Sequence, residues 1–105
     1  MGADDDKRKE RRIPVDFWID VDADGELYFQ HAANLSVGGA YFTHTFPLEL
    51  GRRVQLKFTL PGPEQAVVEC KAEIVTAEGL GMGVQFIDLA PADRARIENL
   101  IHRKA

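Results

Sequence analysis

A basic run at residues 7–12 has the chemistry to hold a phosphate-bearing ligand. It carries five Lys or Arg residues and one Glu, and within it Arg8 and Arg12 stand four residues apart. Guanidinium groups are planar forks that suit phosphate oxygens and the Hoogsteen edge of guanine. The neighbouring cations Lys7 and Arg11 add to the same local charge. The run therefore predicts binding of a small, multiply charged anion, and the alternative is that residues 7–12 are only a solvated tail.

A second polar group, at residues 34–39, could read the base of such a ligand. Asn34 and Ser36 are two apart, so in an extended strand their side chains project to the same face. Two short polar side chains there could bond the polar edge of a purine. Gly38 and Gly39 allow a bend and let a ligand approach backbone N–H groups. A purely structural role for Asn34 and Ser36, organising the bend, is the alternative.

Together the two groups resemble the two-part motif of PilZ domains, which bind cyclic di-GMP. The matching patterns are Arg8-x-x-x-Arg12 and, about twenty residues later, Asn34-x-Ser36-x-x-Gly39. Either pattern alone recurs by chance, whereas their order, their spacing and the β-rich chain after them are specific. The resemblance covers nearly all of residues 8–101. It implies a ligand site formed by Arg8, Arg12, Asn34, Ser36 and Gly39, with contributions from Lys7, Arg11 and Gly38.

The resemblance also assigns roles within that site. It implies that the arginines grip phosphate and guanine and that Asn34 and Ser36 bond the guanine edge. The family admits Asp or Asn at the first position of the second pattern, so Asn34 is permitted but lacks the charge of a carboxylate. The residue before Arg8 influences how many ligand molecules the family holds, which makes Lys7 a candidate for contact with a second copy.

Length, charge and cysteine content define the class of protein. A chain of 105 residues has room for one domain and one core. The net charge of −4 combines a local +4 at residues 7–12 with −8 elsewhere, which disfavours a general nucleic-acid binder. One cysteine, no zinc-like spacing, and no secretory or membrane-spanning pattern predict a cytoplasmic protein.

Alternation of apolar and polar residues predicts a mainly β fold that can position these groups. Val15–Val21, Arg53–Leu60 and Ala66–Thr76 alternate as half-buried strands do, and Asp24-Gly25 marks a hairpin turn. Six short strands with turns between them predict a closed or nearly closed antiparallel barrel, and the resemblance implies that this six-stranded barrel is of PilZ type. Residues 1–6 are predicted to be a disordered tail, and residues 7–105 a single PilZ domain with a basic segment at 7–13.

A helix over about residues 91–104 is predicted to close the chain. Pro91 suits the first helical position and Asp93 the first turn, where the helix dipole favours acid. Ile97, Leu100 and Ile101 follow helical spacing on one side. A helix with so narrow an apolar stripe is expected to pack that stripe against the barrel.

Other candidate sites have simpler explanations. Asp20, Asp22, Asp24 and Gly25 match the start of a calcium loop, but His31 stands where a bidentate Glu belongs, so an acidic hairpin is favoured. Two further side chains are assigned by strand position: Cys70 is predicted to be a core residue, and Trp18 is predicted either to pack beneath the helix or to belong to a partner surface.

Together with the basic run and the polar group, the resemblance implies a cyclic di-GMP receptor or adaptor. It is expected to order its basic segment when ligand binds and to signal through a protein partner that the sequence does not identify. The alternatives are a PilZ-like interaction adaptor that no longer binds nucleotide and, less favoured, a single-stranded nucleic-acid-binding barrel. No acid/base pair, nucleophile–base pair or metal set has credible spacing, so no enzyme and no cofactor beyond the ligand are predicted.

Overall fold

The structure, a computed structural model, describes residues 11–62 and 65–104. The predicted tail at 1–6 and the first part of the basic segment, including Lys7 and Arg8, lie outside the described residues. Within the described ranges the elements are β1 (Ile13–Ala23), β2 (Glu26–Leu35), β3 (Gly39–Thr43), β4 (Arg53–Thr59), β5 (Val67–Glu78), β6 (Gly81–Phe86) and α1 (Pro91–Lys104).

The six strands close into a barrel in the order β1-β2-β3-β6-β5-β4. Every neighbouring pair is antiparallel, including β1 with β4, the pair that completes the ring. Closure means that none of the six described strands has a long edge available for pairing with another chain. The predicted six-stranded antiparallel barrel with a C-terminal helix is confirmed.

The barrel interior follows from the alternation in the strands. One face of β4, and of β5 as far as Ile74, is apolar, and every second residue there is buried while its neighbours are exposed or half-buried. Burial of these side chains, at about 25 cal/mol per Å² of apolar surface removed from water, is the main force holding the barrel closed. The largest fully buried side chains from the six strands are Ile19, Val21, Leu35, Phe42, Leu56, Val68, Ile74 and Met82.

The β1–β2 hairpin sets the register on which the candidate site depends. Asp24 and Gly25 take φ values of 55° and 93°, as a two-residue hairpin turn requires, and the Asp22 carboxylate accepts a 2.8 Å hydrogen bond from the Gly25 N–H. The acidic stretch is thus a hairpin turn, as the sequence analysis predicted. At the other end of the hairpin, Ile13 pairs with Leu35.

Helix α1 completes the core at one side of the barrel. It begins at Pro91 with Asp93 in its first turn, and Ile97, Leu100 and Ile101 are buried in the same apolar cluster as the strands. Trp18, by contrast, is 63% exposed and lies edge-on to the His31 ring. The expectation that it packs beneath the helix was therefore wrong, because its strand face points out of the barrel. Helical structure in the described residues nowhere reaches the length and apolar character of a membrane span.

Cys70 is expected to be an unreactive core thiol. Burial raises the pKa of the Cys70 thiol to about 12, and the Asp88 and Asp93 carboxylates act in the same direction. A thiol that stays protonated is a poor nucleophile. We expect Ellman's reagent at pH 8 to modify the native protein at least about 100-fold more slowly than the urea-unfolded chain, because reaction requires opening of the barrel. Equal rates would show that the thiol is accessible.

The same shift predicts how stability depends on pH. The Cys70 pKa is higher in the folded state than its ordinary value of 9.0, so the unfolded chain loses this proton first as the pH rises. The share of the folding stability that depends on a protonated Cys70 is therefore fully present below pH 9.0. It is lost between that pH and about 12. Denaturant titrations across this range should show the decline, and it should be smaller in a Cys70→Ala variant.

Candidate ligand-binding site

The hairpin register brings the two sequence motifs together. Pro14 pairs with Asn34, so Arg12, just before the strand, lies beside the end of β2. The Arg12 guanidinium donates a hydrogen bond of 3.0 Å from Nη1 to the Asn34 side-chain oxygen. Residues 22 positions apart in sequence are thereby joined at the barrel surface. The end of the β1–β2 ladder is where the candidate site forms.

Both members of this pair keep hydrogen-bonding capacity for a ligand. A guanidinium has five N–H donors, and only one is engaged with Asn34. The Asn34 side chain has a second lone pair on its oxygen and two amide N–H donors. Arg12 is exposed and Asn34 is half-buried, so both can be reached from solvent. Side by side they present the donors and the acceptor that a phosphate or a guanine edge requires.

Ser36 has a different role, inside the loop that joins β2 to β3. Its hydroxyl accepts hydrogen bonds from the N–H groups of Gly38 (3.2 Å) and Gly39 (3.1 Å) and donates one to the Gly39 carbonyl (3.3 Å). These three bonds use the full capacity of a hydroxyl, and the side chain is completely buried. Ser36 therefore shapes the loop.

This arrangement corrects one expectation from the sequence. Asn34 and Ser36 were predicted to share a face because they are two residues apart. The strand ends at Leu35, however, so strand alternation does not extend to Ser36. Asn34 stays at the surface while Ser36 turns inward to bond the loop backbone. The prediction of a shared face was wrong.

Gly39 is required for close packing between strands. A Cβ on this residue would lie 2.0 Å from the backbone oxygen of Val84, far inside van der Waals contact. Gly39 begins β3 and pairs with Gln85 on β6. Just before it, the Gly38 carbonyl accepts a 2.8 Å hydrogen bond from the Phe86 N–H. The two glycines thus fasten the loop to the end of β6.

A surface cleft lies next to this loop. It has a volume of about 400 Å³ and is lined by Arg11, by Val37 from the loop, and by residues of α1. Arg11, which lines the cleft, directly precedes Arg12 in the chain. The contributions of the helix are Glu98, Asn99, Ile101 and His102.

Sequence reasoning missed the helical wall of this cleft. Glu98, Ile101 and His102 are spaced as one stripe of a helix, but nothing in the spacing shows which part of the barrel that stripe faces. Val37 was also missed, because it occupies an unspecified position of the pattern Asn34-x-Ser36-x-x-Gly39. Of the predicted site residues, the structure places Arg11, Arg12, Asn34, Ser36, Gly38 and Gly39 around one end of the hairpin, and Lys7 and Arg8 are not among the described residues.

Replacing Ser36 with Ala should destabilise the domain. The change leaves the N–H groups of Gly38 and Gly39 without their acceptor, and a buried group left unpaired costs about 1–3 kcal/mol. In a domain of this size we expect the melting temperature to fall by roughly 4–8 °C per kcal/mol. Thermal unfolding followed by circular dichroism measures this.

Thr45→Ala is the matched control for Ser36→Ala. Thr45 is also a buried hydroxyl, but the bond described for it is a single 3.4 Å contact to the Phe46 carbonyl. Its removal should lower the melting temperature by less than the Ser36 change. Equal losses in melting temperature would mean that the three loop hydrogen bonds of Ser36 stabilise the domain no more than the single bond of Thr45.

Comparison with known proteins identifies the family. The family model of the PilZ domain matches residues 6–103. No curated protein matches the chain. Among solved structures, the chain resembles the Bacillus subtilis inhibitor of motility (MotI/DgrA) with a TM-score of 0.82 and 17% identity over 91% of this chain and 50% of that one. The chain thus spans half the length of that protein.

Two further structures are similar over nearly their whole length. The PilZ domain of CeSA from a cellulose-synthesizing bacterium has a TM-score of 0.68 and 21% identity, covering 89% of this chain and 96% of that one. The PilZ domain of YcgR from Escherichia coli, solved with c-di-GMP, has a TM-score of 0.70 and 16% identity, covering 93% and 91%. At these identities the likeness shows the fold. Because the family model spans almost the entire chain, this protein belongs to the PilZ domain family.

Proposed function

We propose that this domain is a bacterial, cytoplasmic receptor for cyclic di-GMP that has no catalytic activity and acts through a protein partner. The observation that carries the proposal is the hydrogen bond between Arg12 and Asn34, which joins the two halves of the ligand motif. The family membership supports it, as does the likeness to a PilZ domain solved with c-di-GMP.

The charges at the site suit a dianion. Arg11 and Arg12 supply two guanidinium groups at the end of the hairpin, and the basic run contributes Lys7 and Arg8 from the preceding residues. A hydrogen bond to a charged group contributes about 1.5–3 kcal/mol. A few such bonds, with base stacking on a guanidinium plane, reach the roughly −8 kcal/mol of a micromolar complex. Phosphate binding is therefore assigned to the arginines.

Recognition of guanine is assigned to Asn34 together with Arg12. The free lone pair of Asn34 can accept from a guanine N–H, and Arg12 can donate two parallel bonds to guanine O6 and N7. Ser36, Gly38 and Gly39 contribute by holding the loop in shape. Their role in binding is thus indirect, through the position of Asn34 and the loop backbone.

The proposed response to ligand is ordering of the basic segment. Its cations repel one another in the absence of an anion, and a bound phosphate would draw them against the polar group at residues 34–39. Ordered segment and ligand together would form a new surface for a partner. Lys7 would then face any second ligand molecule.

Calorimetric titration with cyclic di-GMP tests the proposal. We expect exothermic binding in the micromolar range, and cyclic di-AMP should bind more weakly because adenine lacks the O6 acceptor. The same titration gives the number of ligands bound. Absence of both heat and thermal stabilisation at high micromolar ligand would reject the receptor and favour an adaptor that works without nucleotide.

A further inference from the structure

The outer face of the β1–β2 hairpin carries three large apolar side chains in the open. Trp18, Leu27 and Phe29 are 63%, 66% and 69% exposed. Leu27 and Phe29 are two apart on β2, and Trp18 is opposite His31, the next outward residue of that strand. Side chains diagonal to one another across an antiparallel pair are within reach when they are aromatic. These three residues, called the apolar ridge below, form one surface feature.

Carboxylates alternate with the apolar ridge. On β1, Asp20 lies directly opposite Phe29 and Asp22 directly opposite Leu27. The whole hairpin, residues 13–35, contains five Asp or Glu and no Lys or Arg. The nearest strand, β4, contributes Lys57 opposite Asp20, and Lys57 lies 3.9 Å from Glu69. The surface is therefore apolar and acidic at once.

Exposed apolar side chains beside carboxylates limit which kind of molecule can bind to the apolar ridge. An exposed group of Trp, Phe and Leu is typical of a protein-binding surface, where aromatic anchors supply most of the affinity. Nucleic acid and anionic lipid would be repelled by the carboxylates. A second copy docking the same face would bring the Asp20 and Asp22 carboxylates that flank the ridge in one copy against those of the other. A basic protein surface fits instead.

We infer that the apolar ridge is the docking surface for a protein partner whose contact region combines aliphatic or aromatic side chains with Lys and Arg. Arg12, just before β1, and Asn34, near the end of β2, meet at the open end of this hairpin, so the ligand site and the docking surface are next to the same two strands. The inference rests on the proposed function in one respect, that the domain acts through a partner.

Selection from a phage-displayed library of random peptides tests this inference. The full chain serves as bait, and the selected peptides are then measured against a Trp18→Ser/Phe29→Ser variant. We expect peptides rich in Lys or Arg and in apolar residues, and a loss of affinity of about tenfold or more in the variant, because it removes the aromatic anchors. Asp20→Lys should weaken the same peptides while leaving the ridge intact, which guards against a folding defect in the double variant.

Val67→Ser/Val75→Ser is the matched control. These residues are also exposed, at 52% and 46%, but lie on β5, which is opposite β2 in the ring of six strands. The control should bind the selected peptides as the wild type does. All variants should keep the wild-type affinity for cyclic di-GMP, so a failed nucleotide titration would count against the proposed function alone.

Three results would overturn the inference. One is a library that yields no enriched peptide, or only acidic or uncharged ones. Another is unchanged peptide affinity in both the double variant and Asp20→Lys. The third is a dimer, seen by analytical ultracentrifugation, that Trp18→Ser/Phe29→Ser abolishes, which would assign the ridge to a second copy of the chain.

Discussion

Arg12→Ala is expected to reduce affinity for cyclic di-GMP by at least about 100-fold. The guanidinium is proposed to make two or more charged hydrogen bonds to the ligand, each contributing about 1.5–3 kcal/mol, and every 1.4 kcal/mol is tenfold in affinity. It also holds the Asn34 oxygen at 3.0 Å, so its loss removes the orientation of a second ligand group. Calorimetric titration of the purified variant measures the effect, and Arg8→Ala is expected to behave in the same way.

The fold should be nearly indifferent to the same change. Arg12 is exposed and lies outside the barrel core, so unfolding free energy should change by no more than about 0.5 kcal/mol. Arg12→Lys separates charge from geometry, because lysine keeps the charge and loses the planar fork. We expect it to bind with an intermediate affinity.

Arg53→Ala is the matched control for charge. Arg53 is an exposed arginine on β4, 3.9 Å from Glu73, and its removal lowers the net charge by the same amount. We expect unchanged nucleotide affinity. If Arg8→Ala and Arg12→Ala also bound like the wild type, the basic run would be only a solvated tail.

Gly39→Ala is expected to have the largest effect on stability. The added Cβ would lie 2.0 Å from the Val84 backbone oxygen, and the three nearest atoms all belong to the backbone of Val84 and Gln85, so no flexible side chain can move aside. Overpacking of this kind costs about 1–3 kcal/mol, occasionally more. The start of β3 must shift away from β6, and the loop at residues 36–38, which follows the end of β2 where Asn34 lies, shifts with it. Chemical denaturation and nucleotide titration should therefore both show losses.

Gly79→Asn is the control that adds a side chain at a glycine without a steric clash. Gly79 has a φ of +55° with no atom within 4 Å of an added Cβ. Asparagine tolerates this left-handed conformation better than other residues. We expect wild-type ligand affinity and a small change in stability. A Gly39→Ala variant as stable as this control would mean that β3 and β6 can separate at little cost.

Much of the fold could be predicted because each strand carries its own signal. Alternation in β1, β4 and β5 predicted which residues face inward, and Asp24-Gly25 predicted the hairpin. Closure of the ring between β1 and β4 depends on contacts remote in sequence. It was reached through the number of strands and the family resemblance, because no local pattern encodes it.

The candidate site was predictable in its members and less so in its geometry. Arg12 and Asn34 were recognised as ligand residues, but their direct hydrogen bond depends on the register that pairs Pro14 with Asn34. Ser36 showed the limit of strand periodicity, since the strand ends one residue before it. For Trp18 the sequence allowed two predictions, packing beneath the helix or a place on a partner surface. A strand pattern shows which face a side chain takes but not what covers that face.

A crystal structure of the domain bound to cyclic di-GMP tests the central claim most directly. The account predicts a guanine base within hydrogen-bonding distance of both Arg12 and Asn34, with the basic run closed over the ligand phosphates. It would be contradicted by a complex in which the dinucleotide lies on another part of the barrel while Arg8 and Arg12 extend into solvent.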